Sequence, residues 1–91
     1  MAYYVLEYTY GDMEARARVR PRHLEYMTGL NAEGKVVMAG PVGDGAGAMV
    51  VYEAPDESEV RRLIEEDPYT IEGVALETSL REWNVVIPGK A

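Results

Sequence analysis

Two runs of this chain are apolar on both sides of a pleated strand, and that limits what it can fold into. Tyr3-Tyr4-Val5-Leu6 and Met49-Val50-Val51-Tyr52 place aromatic or aliphatic residues at odd and even positions alike. An antiparallel strand with one solvated face alternates apolar with polar residues instead. Both faces of the sheet therefore need cover, and only two helix-period stretches are available to provide it.

The remaining elements follow from local chemistry. Tyr3–Thr9 reads as the first strand, rich in aromatic and branched residues, and Gly11-Asp12 ends it. Arginines at 16, 18, 20 and 22 then form a basic run, read as a solvated connection. Arg20 precedes Pro21, and proline suits the first position of a helix, so the spacing predicts a helix from Pro21 to about Ala32, closed by Gly34. Leu24, Met27 and Leu30 form its apolar stripe, and His23 faces the same way from the first turn.

Lys35–Ala39 is the second predicted strand and Ala48–Glu53 the third. The glycine-rich stretch between them lacks the Gly-Lys-Ser/Thr ending of a phosphate loop and reads as a hairpin connection. Asp56 and Glu59 have the spacing of a capping pair for a second helix, which runs to about Glu66. The segment 75–87 holds the last strand, with Trp83 inside it, and 88–91 reads as a flexible tail. No linker splits residues 1–91, so the chain is read as a single domain.

The order strand, helix, strand, strand, helix, strand suits an α+β, ferredoxin-like βαββαβ fold with a four-stranded antiparallel sheet. Both helices lie on one face. The start of the first helix, the end of the second, the hairpin between the middle strands and the exit of the first strand then meet at one end. The opposite, equally apolar face is expected to be covered by a second copy, giving a homodimer with sheets packed face to face.

Asp67 is a misfit. Val60, Leu63 and Ile64 recur at helical spacing, and Asp67 continues that stripe into Pro68-Tyr69. A carboxylate there points at the core from the C-terminal end of a helix, where an anion is disfavoured. It either caps a new turn with Pro68 at its first position or meets a partner such as His23.

Charge and composition narrow the function. A net charge of −7 argues against binding the phosphates of nucleic acid. The chain has no cysteine and a single histidine, which leaves no thiolate chemistry and no ligand spacing for a metal, so no metal or other cofactor is expected. No apolar run approaches the length of a membrane span and no signal peptide is seen, so a cytoplasmic protein is expected.

The segments Arg20-Pro21-Arg22-His23-Leu24, Gly34-Lys35-Val36-Val37, Ala39-Gly40-Pro41, Asp67-Pro68-Tyr69 and Gly73-Val74 together resemble the YciI-like (YCII-related) family over nearly the whole chain. The resemblance implies a dimeric α+β barrel and an active site built on a histidine and an aspartate, here His23 and Asp67. One branch of that family looks like a dehydrochlorinase acting on chlorinated hydroxyquinols, and the fold is similar to that of muconolactone isomerases. Relative to some members the loop after Pro41 is shorter, and Asp44 within it is a further candidate.

Three functions stay open on the sequence. In the first, His23 is a general acid/base oriented by Asp67, while Arg20 and the helix N-terminus hold an anionic small molecule, with Tyr69 and Asp44 as further substrate-binding candidates. Proton abstraction in elimination or isomerisation of a small cyclic or aromatic acid or phenol fits such a pair. In the second, the protein is a non-catalytic dimeric module that holds a small ligand without turnover or serves as an accessory subunit. In the third, His23 and Asp67 only fix helix packing.

Overall fold

Successive residues of β1 (Ala2–Tyr10) point to opposite faces, and this one strand shows how the molecule is layered. Tyr4, Leu6 and Tyr8 are buried on one face with Val50 and Tyr52, while Val5 and Val51 pair across the other. The structure, a computed structural model, describes residues 1–89; Lys90 and Ala91, at the end of the expected tail, lie outside the described residues. The further elements are α1 (Met13–Ala32), β2 (Val36–Val42), β3 (Gly47–Ala54), α2 (Glu57–Glu66), α3 (Pro68–Ile71) and β4 (Ala75–Trp83). The sheet order is β2-β3-β1-β4 with every neighbouring pair antiparallel. This is the ferredoxin-like arrangement predicted from element order, with α3 added as a single turn.

The inner face carries the core. Tyr4, Leu6, Tyr8, Val50 and Tyr52 meet Val19, Met27 and Leu30 of α1 and Val60, Leu63 and Ile64 of α2. Each large aliphatic side chain so buried contributes about 1.5–3 kcal/mol. α2 begins where expected: Asp56 accepts the Glu59 amide at 3.0 Å. A bulge between Glu7 and Tyr8 shifts the register of β1 against β4, and the Thr78 hydroxyl donates to the Glu7 carbonyl beside it at 2.8 Å.

α1 corrects the reading of residues 12–22. They are not a solvated connection, and Pro21 is not at the helix start. The helix begins at Met13, capped by Asp12, whose carboxylate accepts the Glu14 amide at 2.9 Å, and Pro21 lies inside it. The buried residues Ala15, Val19, His23, Met27 and Leu30 form one stripe that runs straight past the proline. Pro21 itself is exposed, so its missing N–H and ring crowding fall on the solvent side, where a bend costs least. Leu24, expected in the core stripe, is 43% exposed.

Glycine positions follow the turn geometry. Gly34, Gly43 and Gly45 have φ of 78°, 55° and 85°, the left-handed region that the end of α1 and the β2–β3 hairpin require. Gly47, expected in the connection, is instead the first residue of β3, paired with Thr9.

The outer face of the sheet carries Val5, Met49 and Val51 centrally, with Met38 and Trp83 half-exposed or more toward its margins. Val86 and Ile87 beyond β4 are more than four-fifths exposed. No helix among the described residues is long and apolar enough to cross a membrane.

Candidate active site

His23 reaches Asp67 across 44 residues of sequence: Nδ1 lies 2.8 Å from Oδ1. Both side chains are buried, His23 at 8% and Asp67 at 4% exposure. A buried carboxylate is expensive unless paired and hydrogen-bonded, and here it is both. Oδ1 also accepts the Tyr69 amide at 2.9 Å. Asp67 is thus the last cap of α2 and the first cap of α3, with Pro68 at the first position of the new turn. The two readings of Asp67, cap and histidine partner, are both realised by one oxygen.

The route to this pairing differs from the expected one. His23 does not sit in the first turn of α1 but ten residues after Met13, about 15 Å along the axis. The N-terminus of α1 is therefore not at the imidazole and does not add its dipole to the site. What brings His23 to Asp67 is the buried stripe of α1 packing against the α2–α3 corner.

Tyr69 completes the holder. Its ring lies flat on the imidazole, centroids 3.7 Å apart and planes 3° from parallel. Tyr10 meets Tyr69 edge-on at 6.2 Å, and Tyr8 meets Tyr10 edge-on at 5.7 Å. Burial raises the Tyr69 hydroxyl above the ordinary phenol range, opposed by the nearby Arg16 guanidinium. Burial also pushes Tyr8 well up, reinforced by Tyr10 and Asp67.

A cavity of about 390 Å³ opens beside the pair. Tyr8, Tyr10 and Tyr69 line one side, and α1 lines another with Arg16, Arg20 and His23. Its volume falls within the ordinary range for small-molecule sites. With Asp67 as a carboxylate, the His23 Nδ1–H donates to it. The neutral ring then keeps its lone pair on Nε2, since the hydrogen bond to Asp67 is made through Nδ1. That nitrogen is the atom available to move a proton. Among the described residues, no three His, Asp or Glu side chains come together as a metal-binding group.

Of the residues singled out from sequence, His23, Asp67 and Tyr69 are in mutual contact, and Arg20 lies in the cavity wall, exposed. Asp44 is elsewhere in role: it sits in the hairpin turn, where its carboxylate accepts the Ala46 amide at 3.0 Å, and it does not line this cavity. Sequence reasoning missed Arg16, Tyr8 and Tyr10. Arg16 lies four residues before Arg20 and seven before His23, so one helical face carries all three once α1 is extended back to Asp12. A wider groove of about 510 Å³ lies between α1 and α2, but the Tyr26 hydroxyl in it is already spent on the Leu63 carbonyl at 2.6 Å.

Among solved structures, the chain is similar to the 5-chloro-2-hydroxyhydroquinone dehydrochlorinase TftG of Burkholderia phenoliruptrix AC1100, in its complex with 2,5-dihydroxybenzoquinone. The two share 28% identity at a TM-score of 0.73, over 89% of this chain and 93% of that one. No curated protein sequence matches. The model of the YCII-related domain matches residues 1–84, and the chain belongs to that family.

Proposed function

We propose that this protein is a small-molecule enzyme that needs no cofactor and uses His23 and Asp67 to transfer a proton on a flat ring. The substrate class is a small cyclic or aromatic acid or phenol. The single observation that carries the reading is the buried His23–Asp67 hydrogen bond, which leaves Nε2 as the ring atom free to work. Likeness to a dehydrochlorinase that binds a dihydroxybenzoquinone supports the ring chemistry.

In this mechanism Nε2 takes a proton from the bound ring. Asp67 holds the tautomer and stabilises the imidazolium that forms. The electron pair left on the substrate then moves through the ring. In an elimination it expels a leaving group as an anion; in an isomerisation a proton returns to a different carbon. The stacked Tyr69 keeps the imidazole from turning between these steps. The homodimer is part of the proposal: the outer sheet face, with Trp83 half-exposed and Met38 at 64%, is read as the surface that a second copy covers.

The test is turnover of 5-chloro-2-hydroxyhydroquinone and related hydroxylated rings, followed by chloride release and by deuterium uptake in heavy water. Wild type should release chloride or exchange ring deuterium, and His23→Gln should lose this while keeping its fold. Ligand binding by wild type with neither signal would make the protein a binding module instead.

A further inference from the structure

Arg16 is the arginine that the fold places most deliberately. It lies two turns before His23 on the same face of α1, and its guanidinium covers the Tyr10 ring at 4.2 Å from the centroid. Its Nε is buried and has no hydrogen-bond partner among the described residues. The chain carries 16 acidic side chains, and Arg22, Lys35, Arg61, Arg62 and Arg81 each meet one of them. Arg16, like Arg18 and Arg20, makes no ion pair among the described residues, but it alone of the three is partly buried, and it lines the cavity. With no carboxylate among the described residues to balance it, the guanidinium at the cavity wall is suited to an anionic acceptor from outside the protein.

The cavity defines that acceptor. Arg16 and His23 line that cavity from one face of α1, and the Tyr69 ring lies flat against His23. Seven residues apart, the two side chains leave α1 about 10 Å apart along its axis. Arg20, also in the wall, is exposed to solvent, where a charge pair is worth little. The partly buried Arg16, held by Tyr10, is the stronger anchor.

We propose that Arg16, rather than Arg20, is the specificity-determining residue of the site. It takes an anionic oxygen borne directly on the substrate ring and so sets which edge of that ring faces His23. This rests on the proton-transfer reading of the site and adds the ligand class: a flat, singly or doubly ionised ring such as a phenolate, a vinylogous acid or a ring carboxylate.

The experiment is calorimetric titration with two quinones of one shape. 2,5-Dihydroxybenzoquinone is a vinylogous acid and anionic at neutral pH; 2,5-dimethoxybenzoquinone carries no charge. Wild type should prefer the anion. Arg16→Gln should weaken the anion by at least about tenfold and leave the neutral ring nearly unchanged. Arg16→Lys, which keeps the charge without the planar fork, should recover part of the loss. Arg20→Gln should change the anion's affinity less than Arg16→Gln does. Equal loss of both quinones in Arg16→Gln, undiminished anion binding, a larger effect from Arg20→Gln, or a wild type that binds neither would each overturn the proposal. If Arg16→Gln loses the anion selectively but wild type turns over no substrate, the anchor stands and the catalytic reading fails.

Discussion

The Tyr69 ring lies flat on the His23 imidazole at 3.7 Å, and the Tyr69 amide bonds the same Asp67 oxygen that holds His23. One residue thus fixes the histidine from its face and its carboxylate from behind. Tyr69→Phe keeps the stack and should change stability by less than about 1 kcal/mol. Tyr69→Leu removes it, and turnover should fall through kcat because ring orientation is lost, with KM rising as well because Tyr69 lines the cavity. A Leu variant with wild-type kcat would show that the stack only packs.

Asp67→Asn separates the two duties of the carboxylate. Asparagine can still cap α3, so the helix turn should survive. The charge that stabilises the imidazolium is gone and the amide can favour the wrong tautomer, so turnover should fall about a hundredfold or more. Asp67→Ala loses the cap as well and leaves a buried Nδ1–H without its acceptor, and should cost about 2–4 kcal/mol of stability. Thermal melts beside kinetics separate the two. Asn and Ala variants that lose stability equally, with turnover intact in Asn, would reduce the pair to a packing device.

Much of this was legible in the sequence because it depends on period and end chemistry. Val60, Leu63 and Ile64 gave the buried face of α2 and Asp56 its start. Strands apolar at odd and even positions alike left open which parity faces the helices, and only the fold assigns Tyr4, Leu6, Val50 and Tyr52 to the core. The first two turns of α1 were not legible. Ala15 and Val19 are small, three arginines interleave with them, and Pro21 imitates a helix start. Only the packed fold shows that its ring points to solvent. Arg16 was lost with those turns, since its role depends on sharing a face with His23. Asp44 looked available because a carboxylate in a glycine-rich loop is unassigned in sequence; in the fold its own turn uses it.

The dimer proposal predicts that the outer sheet face is an interface. Met38 and Trp83 stand on it, and apolar grooves run across it between β1, β3 and the segment after β4. Sedimentation should give a dimer at micromolar concentration. Trp83→Glu should shift it to monomer without unfolding the inner core, since Trp83 is not part of that core. A stable wild-type monomer would leave the exposed apolar face without this explanation.

Among the glycines, Gly47 has the least room for a side chain. A Cβ there would run into the Tyr8 carbonyl oxygen and press on Thr9 Cα, which are main-chain atoms that cannot swing aside. Gly47→Ala should cost about 1–3 kcal/mol and disturb the cavity, because Tyr8 and Tyr10 line it. Gly40→Ala, where an added Cβ meets nothing within 4 Å, should change stability by less than about 0.5 kcal/mol. Similar melting temperatures for the two variants would contradict this.

Alkaline unfolding follows from the buried phenols. Burial raises Tyr8 and Tyr52 far above the ordinary value of 10.0, with Asp67 adding to both, and raises Tyr26 to about 12, with Glu66 and Asp67 adding to it. In the unfolded chain these hydroxyls ionise near pH 10. Their contribution to stability is therefore complete below about pH 10. Above it the unfolded state gives up protons that the folded state must keep, so stability falls as pH rises toward the folded values. Phenolate absorbance for these three residues should appear together with loss of the circular dichroism signal, not before it. Tyr52→Phe removes a fully buried hydroxyl that has no partner among the described residues, so it should not destabilise the fold and should move the alkaline midpoint upward. All seven tyrosines ionising while the fold is still native would show that these phenols are open to solvent, and the buried layer beneath His23 and Asp67 would have to be redrawn.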